Sequence, residues 1–454
     1  MQKLKIHENG KYIQYEDGTP FFYQGDTSWD IFQHLTKDEV ELYMSVRAEQ
    51  KFNVLQCILL GGTEPYDYTN KYGRHPIKPP FDKLDFDTDG EYSYWDHIDF
   101  CLDCAEKYGI YIALLPMWNG KYCEPDDTLF TGYQPAYDYG KWLAERVGHR
   151  NNIIWMLGGD VEVKPYMHEI FDGLAAGIKA GEGDNNHLMT FHPRGYSNTV
   201  RELGGDKEYL DFLCSQSGHT VDHSYEPTEL FPEMAATGKP FLDAEAHYED
   251  HVANWAYEFK RWDGNDIREG AYESVFNGAC GQTYGNPIVA FFLYEPLTQY
   301  KCPYYIGNIT KMGYDNKGWH HALRHEGADT LKYLQKLRLS RPYFDFTPAP
   351  ELVLNSEDDM LFGHICAARG KDYAFIYTPH GREIKVDGSL INTQFLRASW
   401  YNPRTGEEKL ICYLKPRKAV FVPETRGKGQ DWVLILDGGK RDWVEVGQLK
   451  AEDR

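Results

Sequence analysis

At 454 residues and a formal net charge of −21, the chain is too long for one small domain and too acidic to favour nucleic acid or an anionic membrane. A polyanionic substrate would need a local basic patch, and no Lys/Arg run stands out. Aromatic residues make up 15%, including 11 Trp and 34 Tyr; such rings stack on sugar faces and equally fill a large core.

No apolar run reaches the ~18 residues of a membrane span. The N-terminal segment lacks an apolar signal core, so the expectation for the chain as written is the cytoplasm, with a removed leader left open. Nine cysteines are an odd count and read as free thiols in a reducing compartment. Cys101 and Cys104 have CxxC spacing, but they fall inside a helical pattern with no second Cys or His pair at zinc spacing. They read as buried apolar residues.

In chain order, residues 5–23 read as a hairpin turning at Asp17-Gly18. Thr36 and Glu39 form a capping box opening a helix to about residue 50. Residues 53–60 read as a buried strand ended by Gly61-Gly62. The polar, aromatic stretch 63–94 is too long for a plain connection and reads as a functional loop. A helix over 95–107 and a strand over 110–115, ending at Pro116-Met117-Trp118, come next. After a helix over 136–147, Asn152-Ile-Ile-Trp-Met-Leu157 reads as a strand buried on both faces, broken by Gly158-Gly159 and followed by Asp160.

The alternation continues with a helix over 167–180 and strands over 187–191, 210–214 and 240–244. These end at His192-Pro193, Gln216-Ser-Gly-His219 and Glu245. Helices are expected over 227–236 and 266–277, Gly281-Gln-Thr-Tyr-Gly285 follows, and one helix over 319–339 closes the run. Eight strand–helix units predict an α/β fold, a (β/α)8 TIM barrel over residues 1–341 with an N-terminal hairpin. A doubly wound sheet is the alternative, but no GxGxxG or P-loop opens a helix. From 342 to 454 the pattern changes to short strands, near 352–354, 362–365, 373–377, 383–386, 398–401, 420–422 and 432–436. Turn residues separate them, and an antiparallel β-sandwich is expected.

The strand ends offer Asp26, Trp29, Trp118, Asp160, His192, Gln216, His219, Glu245 and Tyr284. Asp160 and Glu245 follow the fourth and seventh strands and face each other across a barrel mouth. Two opposed carboxylates with aromatics between them suit glycosidic cleavage, one protonating the leaving oxygen and the other attacking the anomeric carbon or activating water. Asp160 also reads as a helix cap or turn residue. Glu245 also reads as a partner of Arg268 or a His, and Asp243 shares its face and could be the better-buried acid. His192, His219 and His247 with Asp26 could ligate a metal, but no HxH at a first strand and no HExxH supports that. No GxSxG elbow marks a serine hydrolase. Neither a cofactor nor a metal is expected. A non-catalytic carbohydrate-binding barrel stays open as a second class. The oligomeric state is not legible.

These residues, with Phe21-Phe-Tyr-Gln-Gly-Asp-Thr-Ser-Trp29, Tyr43, Arg47, Lys239-Pro-Phe-Leu-Asp-Ala-Glu245, Tyr248-Glu249, Arg268 and Tyr272, resemble the apiosidase-like enzymes of glycoside hydrolase family 140. Trp400-Tyr-Asn-Pro-Arg-Thr-Gly406 and Asp431-Trp-Val-Leu-Ile-Leu-Asp437 resemble the β domain appended in that family, whose collagen-binding label is no evidence of collagen binding here. Structural packing against the barrel is the favoured role for it. The resemblance implies a retaining mechanism with Asp160 as acid/base and Glu245 as nucleophile. The remaining strand-end residues would bind substrate. It also implies release of β-linked apiose from rhamnogalacturonan II side chains or apiosylated flavonoids; another plant pentose or hexose is the alternative. The chain departs from the family where Ala246-His247 follows Glu245, in Gln282-Thr-Tyr-Gly285, and in the Asn286-Pro-Ile-Val-Ala-Phe-Phe292 continuation.

Overall fold

The computed structural model describes residues 1–61, 68–118, 129–160, 162–219, 229–255, 260–299, 317–356, 364–439 and 446. Strands β1 (Leu4–Ile6), β2 (Ile13–Tyr15) and β3 (Pro20–Phe21) form an antiparallel sheet. The turn from β2 to β3 is the predicted one: Asp17 Oδ1 accepts the Thr19 N–H at 2.9 Å. Pairing of β1 with β2 adds a third strand to the expected hairpin.

The barrel strands are β4 (Tyr23–Thr27), β5 (Val54–Leu60), β6 (Tyr111–Met117), β7 (Ile153–Gly158), β8 (Met189–His192), β10 (Leu213–Gln216), β11 (Phe241–Asp243) and β12 (Gly281–Tyr284). A two-residue strand, β9 (Ser197–Asn198), lies between β8 and β10 in the chain. Their order in the sheet is β8-β7-β6-β5-β4-β12-β11-β10-β9. Neighbours pair in parallel, apart from β9 against β10. The ring closes between β8 and β10 without a regular ladder. There the Asp211 N–H reaches Met189 O at 2.8 Å and the Thr190 hydroxyl reaches Phe212 O at 2.7 Å.

Every residue of β5, β6 and β7 is buried. Barrel side chains fill one face and helices cover the other, so these strands read as apolar runs without alternation. Helices Lys37–Glu49, Tyr94–Lys107 and Gly264–Phe276 all open on capping boxes, at Thr36/Glu39, Ser93/Asp96 and Asp263/Asp266. Cys101 and Cys104 are free and buried on the second of these. No described helix is long and apolar enough to cross a membrane.

The expected helix over 319–339 is three short ones, Trp319–Ala322, Glu326–Thr330 and Lys332–Arg338. His325 takes extended angles, φ −65° and ψ 155°, and the Gly327 N–H turns inward to the Glu249 carboxylate at 2.8 Å. Satisfying that buried acid competes with helix continuation, and the acid wins.

The C-terminal strands are β13 (Thr347–Pro348), β14 (Cys366–Arg369), β15 (Tyr373–Thr378), β16 (Ile384–Asp387), β17 (Leu396–Asn402), β18 (Glu407–Leu414), β19 (Lys418–Phe421) and β20 (Trp432–Gly438). Six form an antiparallel sheet, β13-β14-β15-β20-β17-β18, and β16-β19 form the second layer. Of the strand expected over 352–354, Leu352 ends a 3-10 turn, Pro350–Leu352, while Val353 is extended and makes an antiparallel bridge to Val386, with the Leu354 N–H on Lys385 O at 2.7 Å. Of the strand expected over 362–365, residues 362 and 363 lie outside the described residues, and the other two precede β14. Trp400 and Trp432 are buried between the layers with ring centroids 6.1 Å apart, so neither is presented for stacking on a polysaccharide.

The other face of the large sheet lies on the Gly264–Phe276 helix. Tyr377 stacks on Tyr272 at 4.7 Å. Arg268 Nε donates to Asp431 at 3.0 Å, and Arg341 Nε to Asp437 at 2.9 Å. All four of these charged side chains are at most 1% exposed. Deleting one partner would strand a buried charge, a loss of about 3–5 kcal/mol.

Candidate active site

Gly158 ends β7 with φ at 90°. A Cβ there would lie 2.3 Å from the His192 carbonyl oxygen, so both conformation and space demand glycine. The Gly159 N–H donates to that same carbonyl at 3.1 Å. The chain thus turns across the end of β8 and delivers Asp160, whose Oδ1 accepts the Gly195 N–H at 3.1 Å. Asp160 caps no helix, since the next one begins at Met167 with Tyr166 at its N-cap.

Glu245 stands two residues beyond β11, as Asp160 stands two beyond β7. It is 7% exposed. His192 Nε2, from the end of β8, lies 3.5 Å from Oε2. His219 Nε2, beyond β10, lies 3.3 Å from Oε1. His192 Nδ1 sits 2.9 Å from Pro193 O; a carbonyl only accepts, so that nitrogen carries a hydrogen. Arg268 is committed to Asp431 and Glu326, so Glu245 takes imidazole partners.

Aromatic rings enclose this pair. Trp29 packs against Trp118 at 5.1 Å and edge-on to His192 at 5.4 Å. His219 stacks on His251 at 4.5 Å and meets Tyr248 at 4.7 Å. Gln216 ends β10 near Gly195: a Cβ on that glycine would lie 3.8 Å from Gln216 Nε2.

The two acids are pushed apart in proton affinity. Asp160 is solvent-exposed, yet atoms crowd its carboxyl. That crowding first, and the negative charge of Glu245 second, raise it above the ordinary aspartate value. Burial works on Glu245 in the same direction, but the His192 and His219 imidazoles outweigh it and hold it down at about 2. Burial and then the Glu245 charge push the Tyr248 phenol well up, so it remains a neutral hydroxyl beside the carboxylate.

Seven of the nine strand-end residues named from the sequence gather here: Trp29, Trp118, Asp160, His192, Gln216, His219 and Glu245. Asp26 and Tyr284 do not. Asp26 is 0% exposed, pairs with Arg47 at 2.5 Å and accepts from the Tyr43 hydroxyl. Both partners belong to the Lys37–Glu49 helix, so Asp26 points out of the barrel. Tyr284 also faces outward, donating to Glu249 at 2.7 Å. Strand alternation explains both, since alternate residues of a barrel strand face the helices. Tyr248 and His251 were not singled out as site residues. Gly285 signals the first: a Cβ there would sit 2.1 Å from the Tyr248 ring. Asp243, weighed against Glu245, is tied up below it by Ser217. Among the described residues no group of three His, Cys, Asp or Glu side chains is arranged to hold a metal ion.

Residues 7–345 match the family model of the apiosidase-like catalytic domain. Residues 347–437 match one described as "Putative collagen-binding domain of a collagenase". A solved glycoside hydrolase family 5 structure from Bacteroides vulgatus ATCC 8482 is 30% identical, with a TM-score of 0.85 over 98% of this chain and 95% of that one. A second, described as a glycoside hydrolase, is 30% identical with a TM-score of 0.84 over 98% of each chain. A further structure from Bacteroides vulgatus ATCC 8482, at 13% identity and a TM-score of 0.65, shares the fold. No curated protein matches the chain.

Proposed function

The chain belongs to the apiosidase-like family and is a glycosidase, and from that premise we propose a retaining hydrolysis in which Glu245 attacks and Asp160 shuttles the proton. The observation that carries the reading is the split in proton affinity. The two acids sit close enough for the charge of one to raise the other; the His192 and His219 imidazoles touch Glu245 directly and outweigh its burial, whereas at Asp160 crowding and the Glu245 charge outweigh the same two rings.

Glu245, as carboxylate, would bond to the anomeric carbon while the leaving oxygen takes the proton from Asp160. Asp160, now ionised, would take a proton from water, and the resulting hydroxide equivalent releases the sugar and frees Glu245. Solvent exposure suits Asp160 to meeting water and leaving group in turn. Enclosure suits Glu245 to forming one bond with one ring.

For the sugar, we propose β-linked apiose, drawn from rhamnogalacturonan II side chains or apiosylated flavonoids. Support comes from the apiosidase-like family, whose catalytic-domain model matches residues 7–345. Residues 1–341 would form the catalytic domain and residues 342–454 a β domain whose role is packing against it. The test is incubation with apiosylated flavonoid glycosides and rhamnogalacturonan II fragments, following the anomer first released by proton NMR. Apiose released with its configuration kept supports the proposal. Inversion removes the nucleophile, and release of a different sugar removes apiose.

A further inference from the structure

Asp243, the last residue of β11, is 1% exposed and lies two residues before Glu245. Its Oδ2 accepts the Ser217 hydroxyl at 2.7 Å. Its Oδ1 accepts two backbone N–H groups, that of Ser217 at 3.2 Å and that of Glu245 at 3.3 Å. Around it, the Ala244 N–H donates to Ser215 O at 2.8 Å and the Gly218 N–H to Glu245 O at 3.1 Å. One carboxylate therefore joins the segment carrying Glu245 to the segment carrying His219. These are the two sides of the 3.3 Å imidazole contact.

We propose that Asp243 and Ser217 are a positioning pair that sets how Glu245 meets the His219 imidazole, and through that contact how ready Glu245 is to attack. The inference rests on Glu245 being the nucleophile. Past the last Cα pairing of β10 with β11, Ser215 with Asp243, two backbone bonds still join the chains, and the Asp243 carboxylate adds the side-chain links. A carboxylate can accept three donors at once with charge-assisted strength, as no neutral side chain there could. Asparagine would offer one oxygen to three donors and turn an N–H₂ towards one of them.

The experiment compares Ser217→Ala, Ser217→Thr and Asp243→Asn with Glu245→Gln, using a panel of aryl glycosides and the pH dependence of kcat/KM. Misplacement of a reacting group by about 1 Å costs about 10²-fold. On that scale Asp243→Asn loses about 10²-fold in kcat and Ser217→Ala about 10-fold, with KM within about twofold. Withdrawal of His219 also moves the acid limb of Ser217→Ala to higher pH, and Ser217→Thr, which keeps the hydroxyl, regains most of kcat. A lesion that merely lowered the amount of folded enzyme would shift no limb. Imidazole nitrogen NMR, needing no substrate, should show the response of His219 to Glu245 ionisation weakened in Ser217→Ala. An inactive Glu245→Gln beside a Ser217→Ala with wild-type kcat, acid limb and imidazole spectrum overturns the positioning pair alone. A fully active Glu245→Gln overturns the nucleophile and the pair together.

Discussion

The ends of β7 and β11 are built to the same spacing and reach opposite results. Each places an acid two residues past the strand. At β7 two glycines swing the chain over β8, and Asp160 comes to rest exposed, its carboxyl held by one backbone N–H. At β11 the chain stays anchored, and Glu245 is enclosed between two imidazoles. Position on the barrel brings the acids together; what surrounds each sets the direction in which its proton affinity moves. Burial raises both, and the difference comes from the direct histidine contacts at Glu245 and from the Glu245 charge felt by Asp160.

The harshest way to break this contrast is to remove either acid. Asp160→Asn and Glu245→Gln should each lower turnover by about 10³-fold or more on a glycoside with a poor leaving group, since each deletes a proton-transfer or bond-forming group. They should part company on an activated aryl glycoside. Asp160→Asn then regains its first step, which no longer needs an acid, while Glu245→Gln stays inactive. Steady-state and burst kinetics on the two substrate types read this directly.

A milder break removes one imidazole. His219→Gln keeps a donor for Glu245 and loses the ring, so activity should fall about 10–10²-fold, by analogy with other ligand-orienting partners. The acid limb of kcat/KM should move upward, because the ring lowers Glu245. Wild-type kcat/KM should follow a bell against pH, rising as Glu245 ionises and falling as pH passes through the raised value of Asp160. Gly158→Ala tests the other strand end. The positive φ and the 2.3 Å approach to the His192 carbonyl should cost about 1–3 kcal/mol of stability, measured by denaturant unfolding, and should damage activity by moving Asp160.

The smallest effect is on stability against pH. Glu245 has a lowered folded value, from 4.5 to about 2. Its contribution is therefore present above about 4.5 and lost as pH falls towards 2. Asp160 has a raised value, so its ionisation in the folded state opposes stability as pH rises through that value. Thermal unfolding should show a shallower acid-side loss in Glu245→Gln than in wild type between pH 4.5 and 2.

The barrel was legible because its strands are buried on both faces and glycines mark their ends. The fourth and seventh strands could be counted from 152–157 and 240–244, which located Asp160 and Glu245 without coordinates. Asp26 and Tyr284 misled because a strand-end position does not say which way a side chain points. Alternation could have placed Asp26 on the face opposite Tyr23, but only Arg47 and Tyr43 show that this face meets a helix. The break at His325 was hidden because its cause is Glu249, 78 residues away from Gly327. Ser217 was invisible for the same reason: its hydroxyl matters through a partner on the adjacent strand, and pairing across strands is not written in local sequence.

The most direct test of the two-acid assignment is mass spectrometry of Asp160→Asn enzyme quenched in acid while turning over an activated aryl glycoside. With its base missing, the variant should accumulate a glycosyl adduct, mapped to the peptide containing Glu245. Unmodified protein under turnover, or a sugar carried on a different peptide, would contradict the account.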